Sequence, residues 1–194
     1  MQSLPDPKPA GHGTGLPPSD WVRRFSRGLA PSARVLDLAC GSGRHVRLLA
    51  AAGHHVTAVD RDAQALAGLS DIAATCVADV EAGPWPLPDR RFDLVLVTNY
   101  LWRALLPKVV ASVDVGGCLV YETFAVGHER FGRPSNTDFL LRPGELLDVV
   151  RGELRVLAYE EGLLDAPPRL IQRIAAVREP AAGDPPGQHR WALT

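Results

Sequence analysis

Apolar positions along this chain fall into short β-branched and leucine-rich runs that alternate with stretches of helical spacing. Residues 34–38 predict a first strand. Residues 44–52 predict a helix closed by Gly53, and residues 55–59 a second strand. Residues 62–69 read as a helix capped by Asp62, and residues 73–78 as a third strand. The proline-rich stretch 83–89 can join neither element type. Residues 92–98 are apolar throughout, as in a strand buried on both faces. Pro107 suits the first turn of a helix reaching about Val113, and Gly116-Gly117 predicts a turn into a fifth strand at 118–123. Upstream, Ser19 or Asp20 caps an amphipathic helix running to Leu29, with Trp21, Val22 and Phe25 on its apolar side and Pro31 as its stop.

This repeated β-α-β rhythm predicts a parallel sheet with right-handed crossovers. It breaks after Thr123. Residues 124–141 form a long irregular segment, a length at which loops usually carry function. A helix follows over about 142–150. Two further strands, 154–162 and 169–177, are joined by so short a connection that they must form an antiparallel hairpin at the sheet edge. The first 18 residues hold five prolines and three glycines and predict a flexible arm. Residues 19–178 then form one domain, with a tail at 179–194.

Composition narrows the picture. With 194 residues there is room for one domain with a real core, and 6% aromatics suit an α/β protein rather than an aromatic platform for nucleic acid. A net charge of −1 gives no general field for a polyanion. Cys40, Cys76 and Cys118 are widely spaced, with no metal-ligand pattern, and read as reduced thiols of a cytoplasmic protein; no metal is expected. No apolar run is long enough to span a membrane, and no signal peptide is read at the N-terminus.

The candidate chemistry lies at the strand ends. The first strand carries Asp37 and runs through Ala39, Cys40, Gly41 and Gly43 into a helix, at the place where open α/β sheets bind ligands. An acid there suits a cationic amino group and repels a pyrophosphate, which favours S-adenosylmethionine over a dinucleotide. Asp60 ends the second strand, 17 residues beyond Gly43, where a carboxylate can accept ribose hydroxyls. Asp79 follows the third strand and Asn99 the fourth. Any one of these is more often a cap or a turn residue than a ligand; all four in order are hard to produce by capping alone.

The segment 35–43 resembles motif I of the class I S-adenosylmethionine-dependent methyltransferases, and residues 56–60 resemble their second motif. Residues 78–80 look like the adenine-contacting turn of that family, and residues 87–95 like its approach to the fourth strand. Residues 115–119 are similar to its Pro-Gly-Gly turn, with Val115 in place of proline. The likeness covers roughly residues 34–123. The context of residues 38–45 is most similar to small bacterial enzymes of the tellurite-resistance (TehB) type. The resemblance implies a Rossmann-like seven-stranded sheet, mostly parallel, with helices on both faces and an antiparallel C-terminal hairpin. It also implies a division of labour at the site. Gly41 and Gly43 would lie against the methionine moiety, with Asp37 and the Ala39 backbone on its ammonium. Asp60 would bind the ribose, with Arg61 flanking the adenine and Asp79 and Val80 framing it.

Acceptor selection is expected from the irregular segments. Tyr100, Arg103, Glu122, Arg130 and Arg133 are candidate acceptor contacts, and Tyr100, Glu122 and His128 candidate catalytic groups. Each has a plainer alternative. Glu122 can orient an acceptor or pair with Arg103. The loop arginines can meet an anionic acceptor or pair with Glu129 and Asp138. His128 can be a base or a solvated loop histidine, and the second is the commoner case. Trp21 and Phe25 can close over the cofactor or pack on the sheet, and Arg24 can reach the methionine carboxylate or lie at the surface. The function expected is in-line methyl transfer to a small molecule. Alternatives are an RNA- or protein-directed enzyme working with a partner, and a non-catalytic cofactor-binding protein. A nicotinamide-dependent oxidoreductase is disfavoured, because its third fingerprint glycine is replaced by Val46. An Asn-Pro-Pro-aromatic motif is absent after the fourth strand, so a nucleic-acid base is not supported as acceptor.

Overall fold

Alternation along each strand divides its side chains between two apolar layers, and this places the helices. The computed structural model describes residues 16–181 and Trp191. Its strands are β1 (Arg34–Leu38), β2 (His55–Asp60), β3 (Ala74–Val77), β4 (Phe92–Thr98), β5 (Val113–Phe124), β6 (Arg155–Asp165) and β7 (Pro168–Val177). They form one seven-stranded sheet in the order β3-β2-β1-β4-β5-β7-β6. The first five strands are parallel, and β7 runs antiparallel to both β5 and β6. The hairpin expected at the edge is therefore present, with its second strand inside and its first outermost.

Val35, Leu94, Leu96 and Val120 face one layer with α1 (Asp20–Ser26), α2 (Arg44–Ala51) and α3 (Ala63–Ala67). Leu36, Val95, Val97 and Leu119 face the other, with α4 (Leu106–Ala111) and α5 (Glu145–Val150). A period of two puts Asp37 on the face of Val35, towards α2, and Glu122 on the face of Val120, towards α1. Trp21 and Phe25 are buried edge-to-face in that layer, so they pack on the sheet.

Local chemistry explains the helix starts. The Ser19 hydroxyl accepts from the Trp21 amide, and Asp62 accepts from those of Gln64 and Ala65. The first helix ends at Ser26 instead of Leu29, since Gly28 loosens the last turn and Pro31 disfavours a helical residue before it.

The largest difference from the sequence reading is β5. It begins at Val113 and runs through Gly116-Gly117, where a turn was expected. The register shifts from Phe92↔Val113 to Leu94↔Cys118, so extra residues bulge out there. Gly116 takes φ 78°. A Cβ on Gly117 would lie 2.8 Å from the Phe92 carbonyl oxygen and 3.0 Å from that of Asp114. The expected flexible arm lies mostly outside the described residues, but Pro17 is held through its carbonyl by Arg44. The expected tail also lies mostly outside them; Trp191 is described and donates to the Gly116 oxygen.

Gly117→Ala should lower stability by about 1–3 kcal/mol, because the bulge must open to admit a methyl group between backbone oxygens. Thermal denaturation checks this, and an unchanged melting temperature would show that the bulge is not close-packed.

Candidate active site

Strand order reverses between β1 and β4, and a crevice opens over the carboxyl ends of the strands on either side. It is a cavity of about 440 Å³, within the size range of small-molecule sites.

The β1–α2 turn forms one wall. Ala39, Gly41 and Gly43 all take left-handed backbone angles, at φ 54°, 54° and 77°. Ala39, Cys40 and Ser42 border the cavity, whereas Asp37, Gly41 and Gly43 lie behind that surface. A Cβ on Gly43 would come within 2.5 Å of the Leu69 side chain, so this glycine serves helix packing as well as the turn. Asp37 is 1% exposed, and no group among the described residues donates to either of its carboxylate oxygens. Burial pushes its pKa up to about 8; Arg44 opposes the rise and Asp60 adds to it. A buried acid with both oxygens unmet fits a bound ammonium, which would supply the missing donors.

Asp60 ends β2 and is nearly buried. Its Oδ2 accepts from the Gly41 amide at 2.8 Å and its Oδ1 from the Asp62 amide at 2.9 Å. It borders the cavity while fixing two turns. Asp79 likewise caps the turn after β3, accepting from the Glu81 and Ala82 amides, and borders the cavity. Arg61 and Val80 border it too. Asn99, at φ 53°, lies there beside Tyr100, whose hydroxyl donates to Glu81 at 3.1 Å. Burial, then Glu81, pushes the Tyr100 phenol far up, so it stays protonated and is no base. These residues, from four strand ends, converge on one crevice.

Several acceptor candidates lie elsewhere. Arg103 is not in the cavity. It clamps Glu145 at 2.7 and 2.9 Å and the carbonyls of Asp138 and Leu140 at 2.6 and 2.8 Å, anchoring the long loop to α5. Glu122 is buried beneath the wall, where its Oε2 accepts from the Ser19 hydroxyl at 3.1 Å and faces Arg173 at 3.5 Å. It therefore pairs with neither Arg103 nor an acceptor. Arg130 is exposed and outside the cavity; Arg133 borders it.

His128 also differs from the commoner expectation. It is buried, stacked on Phe124 at 4.2 Å between centroids, and borders the cavity. Its Nε2 lies 3.1 Å from the Arg133 carbonyl oxygen. A carbonyl only accepts, so Nε2 carries the hydrogen and the neutral ring keeps its lone pair on Nδ1. Nδ1 is buried with no partner among the described residues.

Sequence reasoning missed Ser42, Arg44, Leu16 and the hairpin tip at Pro167, Pro168 and Arg169, all of which border the cavity. It also missed the anchor of residue 19. The Ser19 amide donates to His45 Nε2 at 3.0 Å, and the other ring nitrogen of His45 meets Thr98 Oγ1 at 3.4 Å. Burial, reinforced by Arg44 and Arg23, lowers the His45 pKa to about 3 and keeps the ring neutral. The adjacent Ser-Asp at a predicted helix start was the only signal. Among the described residues no cluster of ligands could hold a metal, and no helix is long and apolar enough to cross a membrane.

Residues 35–115 match the sequence model of the methyltransferase domain family. A search of curated proteins finds no match. Among solved structures the chain is similar to TehB from Haemophilus influenzae, at 21% identity and a TM-score of 0.67, covering 84% of this chain and 62% of that one. It thus spans less than two thirds of that protein's length. A TehB-like SAM-dependent methyltransferase from Corynebacterium glutamicum aligns at 19% identity and a TM-score of 0.60, over 82% of this chain and 87% of that one. A coclaurine N-methyltransferase bound to N-methylheliamine and SAH aligns at 13% identity and a TM-score of 0.63, over 81% and 71%. At these identities the structural likenesses establish the fold.

The raised pKa of Asp37 has a sign that can be tested. Between its ordinary value of 3.8 and about 8 the folded protein holds a proton that the unfolded chain has lost, so this group's contribution to stability falls as pH rises through that window. An ammonium ligand needs the ionised form. Cofactor affinity should therefore rise between about pH 6 and pH 8 and then level off, with proton release on binding near neutrality. Calorimetry in buffers of different ionisation heat reads both effects, and Asp37→Asn should abolish them.

Proposed function

We propose that this protein is an S-adenosylmethionine-dependent methyltransferase that methylates a small-molecule acceptor and takes one proton from it onto His128, a reading supported by its matched domain and its fold. S-adenosylmethionine supplies an activated methyl group on a sulfonium sulfur. Asp37 would accept from its ammonium and Asp60 from the ribose hydroxyls, with Asp79 and Val80 beside the adenine. The Ala39-Cys40-Ser42 edge would let the ligand lie close to the backbone. In the transfer this supports, the acceptor's lone pair would bond to the methyl carbon as the carbon–sulfur pair returns to sulfur as a neutral thioether. Alignment of the two partners is the larger part of the rate.

The observation that carries the acceptor chemistry is His128 Nδ1: a lone pair, buried at the cavity wall, on a ring oriented by the Arg133 carbonyl and the Phe124 stack. Tyr100 cannot serve as a base, and Glu122 is spent on Ser19 and Arg173. The cavity size, together with the likeness to an N-methyltransferase holding N-methylheliamine, supports a small acceptor. Residues 19–178 form the catalytic domain, and three free thiols support a cytoplasmic location.

His128→Asn should lower kcat by about 10²-fold or more, with cofactor affinity unchanged. Turnover of labelled S-adenosylmethionine, with cofactor binding measured beside it, checks this. A variant with an intact rate would remove His128 from the chemistry.

A further inference from the structure

The carboxylates around the cavity are confined to one side, where Arg44 and Arg61 also border it. The carboxylates that border it, Asp60, Asp79 and Glu81, come from β2 and the segment after β3. The wall built from residues 123–139 and the hairpin tip contributes no carboxylate. It contributes Phe124, Phe131 and Phe139, His128, and two arginines, Arg133 and Arg169. Neither arginine side chain has a hydrogen-bond or ion-pair partner among the described residues. Arg169 is half-buried at the start of β7, and Arg133 reaches the cavity from the exposed loop. Arg44 is held below its ordinary value first by burial; Glu122 opposes this and the Arg169 charge adds to it, which puts the two guanidinium groups within electrostatic range.

We propose that this wall is the acceptor site and that it selects an organic carboxylate, with Arg169 and Arg133 holding the anionic group and the three phenylalanines its apolar body. The proposal rests on the methyl-transfer reading and names the substrate class for it. A planar guanidinium matches a planar carboxylate through two parallel N–H donors, and three aromatic rings require an apolar or aryl surface between the anion and the cofactor. Arg103, the other arginine near the loop, is excluded because Glu145 and two carbonyls occupy it.

The test uses the full chain, labelled S-adenosylmethionine, and a panel of aryl and alkyl carboxylates that also carry an amine or hydroxyl, each paired with its carboxamide. The acceptors methylated should be carboxylates, with the paired amides turned over at least about tenfold less efficiently. Arg169→Met should raise KM for the best carboxylate about tenfold or more, Arg169→Lys should recover part of the loss, and cofactor affinity and melting temperature should stay at the unmodified values. Amides that react as well as acids, a KM unmoved in the Arg133→Met/Arg169→Met double variant, or a cofactor-loaded enzyme that methylates no carboxylate would overturn the proposal. Failure to bind S-adenosylmethionine at all would instead overturn the methyl-transfer reading beneath it.

Discussion

One carboxylate holds the crevice in shape. The β1–β2 ladder ends at Leu38↔Val59, and the Asp60 side chain continues it by accepting from the Gly41 amide on one side and the Asp62 amide on the other. The β1–α2 turn needs this support. It contains three left-handed residues, and one of them, Ala39, has a Cβ that disfavours the conformation by about 1 kcal/mol or more. A charge-assisted bond to the middle of the turn stabilises by about 1.5–3 kcal/mol, enough to offset that strain. The same turn sets where α2 begins, and hence where Arg44 and His45 point. Loss of the Asp60 carboxylate would therefore disturb the turn together with any ribose contact.

Beneath the crevice, on the α1–α2 face of the sheet, lies a polar layer: the buried Asp37 on β1 and Glu122 on β5, with the half-buried Thr98 on β4 and Arg173 on β7. His45 and Glu122 both hold Ser19, through its amide and its hydroxyl. Arg173 bridges Glu122 and Glu160 and lies 4.6 Å from the Trp21 ring centroid. Buried polar groups are tolerated when each finds a partner, and here all do so except Asp37, which leaves one carboxyl group for a ligand to satisfy.

The central sheet was legible because β-branched runs and short punctuated connections are local signals. Val35-Leu36 and Val95-Leu96-Val97 read as strands whatever surrounds them. The acids at the strand ends were also legible by position, although their work on backbone amides was not. The remainder depended on contacts distant in sequence. Gly116-Gly117 looks like a turn until Phe92 is seen to pair across it with Val113. Arg103 looks available until Glu145, 42 residues on, is found to engage it. His128 looks solvated until Phe124 and the Arg133 carbonyl enclose it. The tip of the hairpin gave no local hint that it reaches the crevice.

That last feature bears on how such a scaffold diversifies. The acid-bearing wall is encoded by residues 39–81, and much of the opposite wall by one loop and the tip of a hairpin whose first strand is the outermost of the sheet. A hairpin at the margin can lengthen, shorten or exchange its tip residues without breaking a ladder on which the central strands rely. Changes of taste for one partner can thus accumulate at the periphery while the grip on the other, embedded in the middle of the sheet, stays under separate selection.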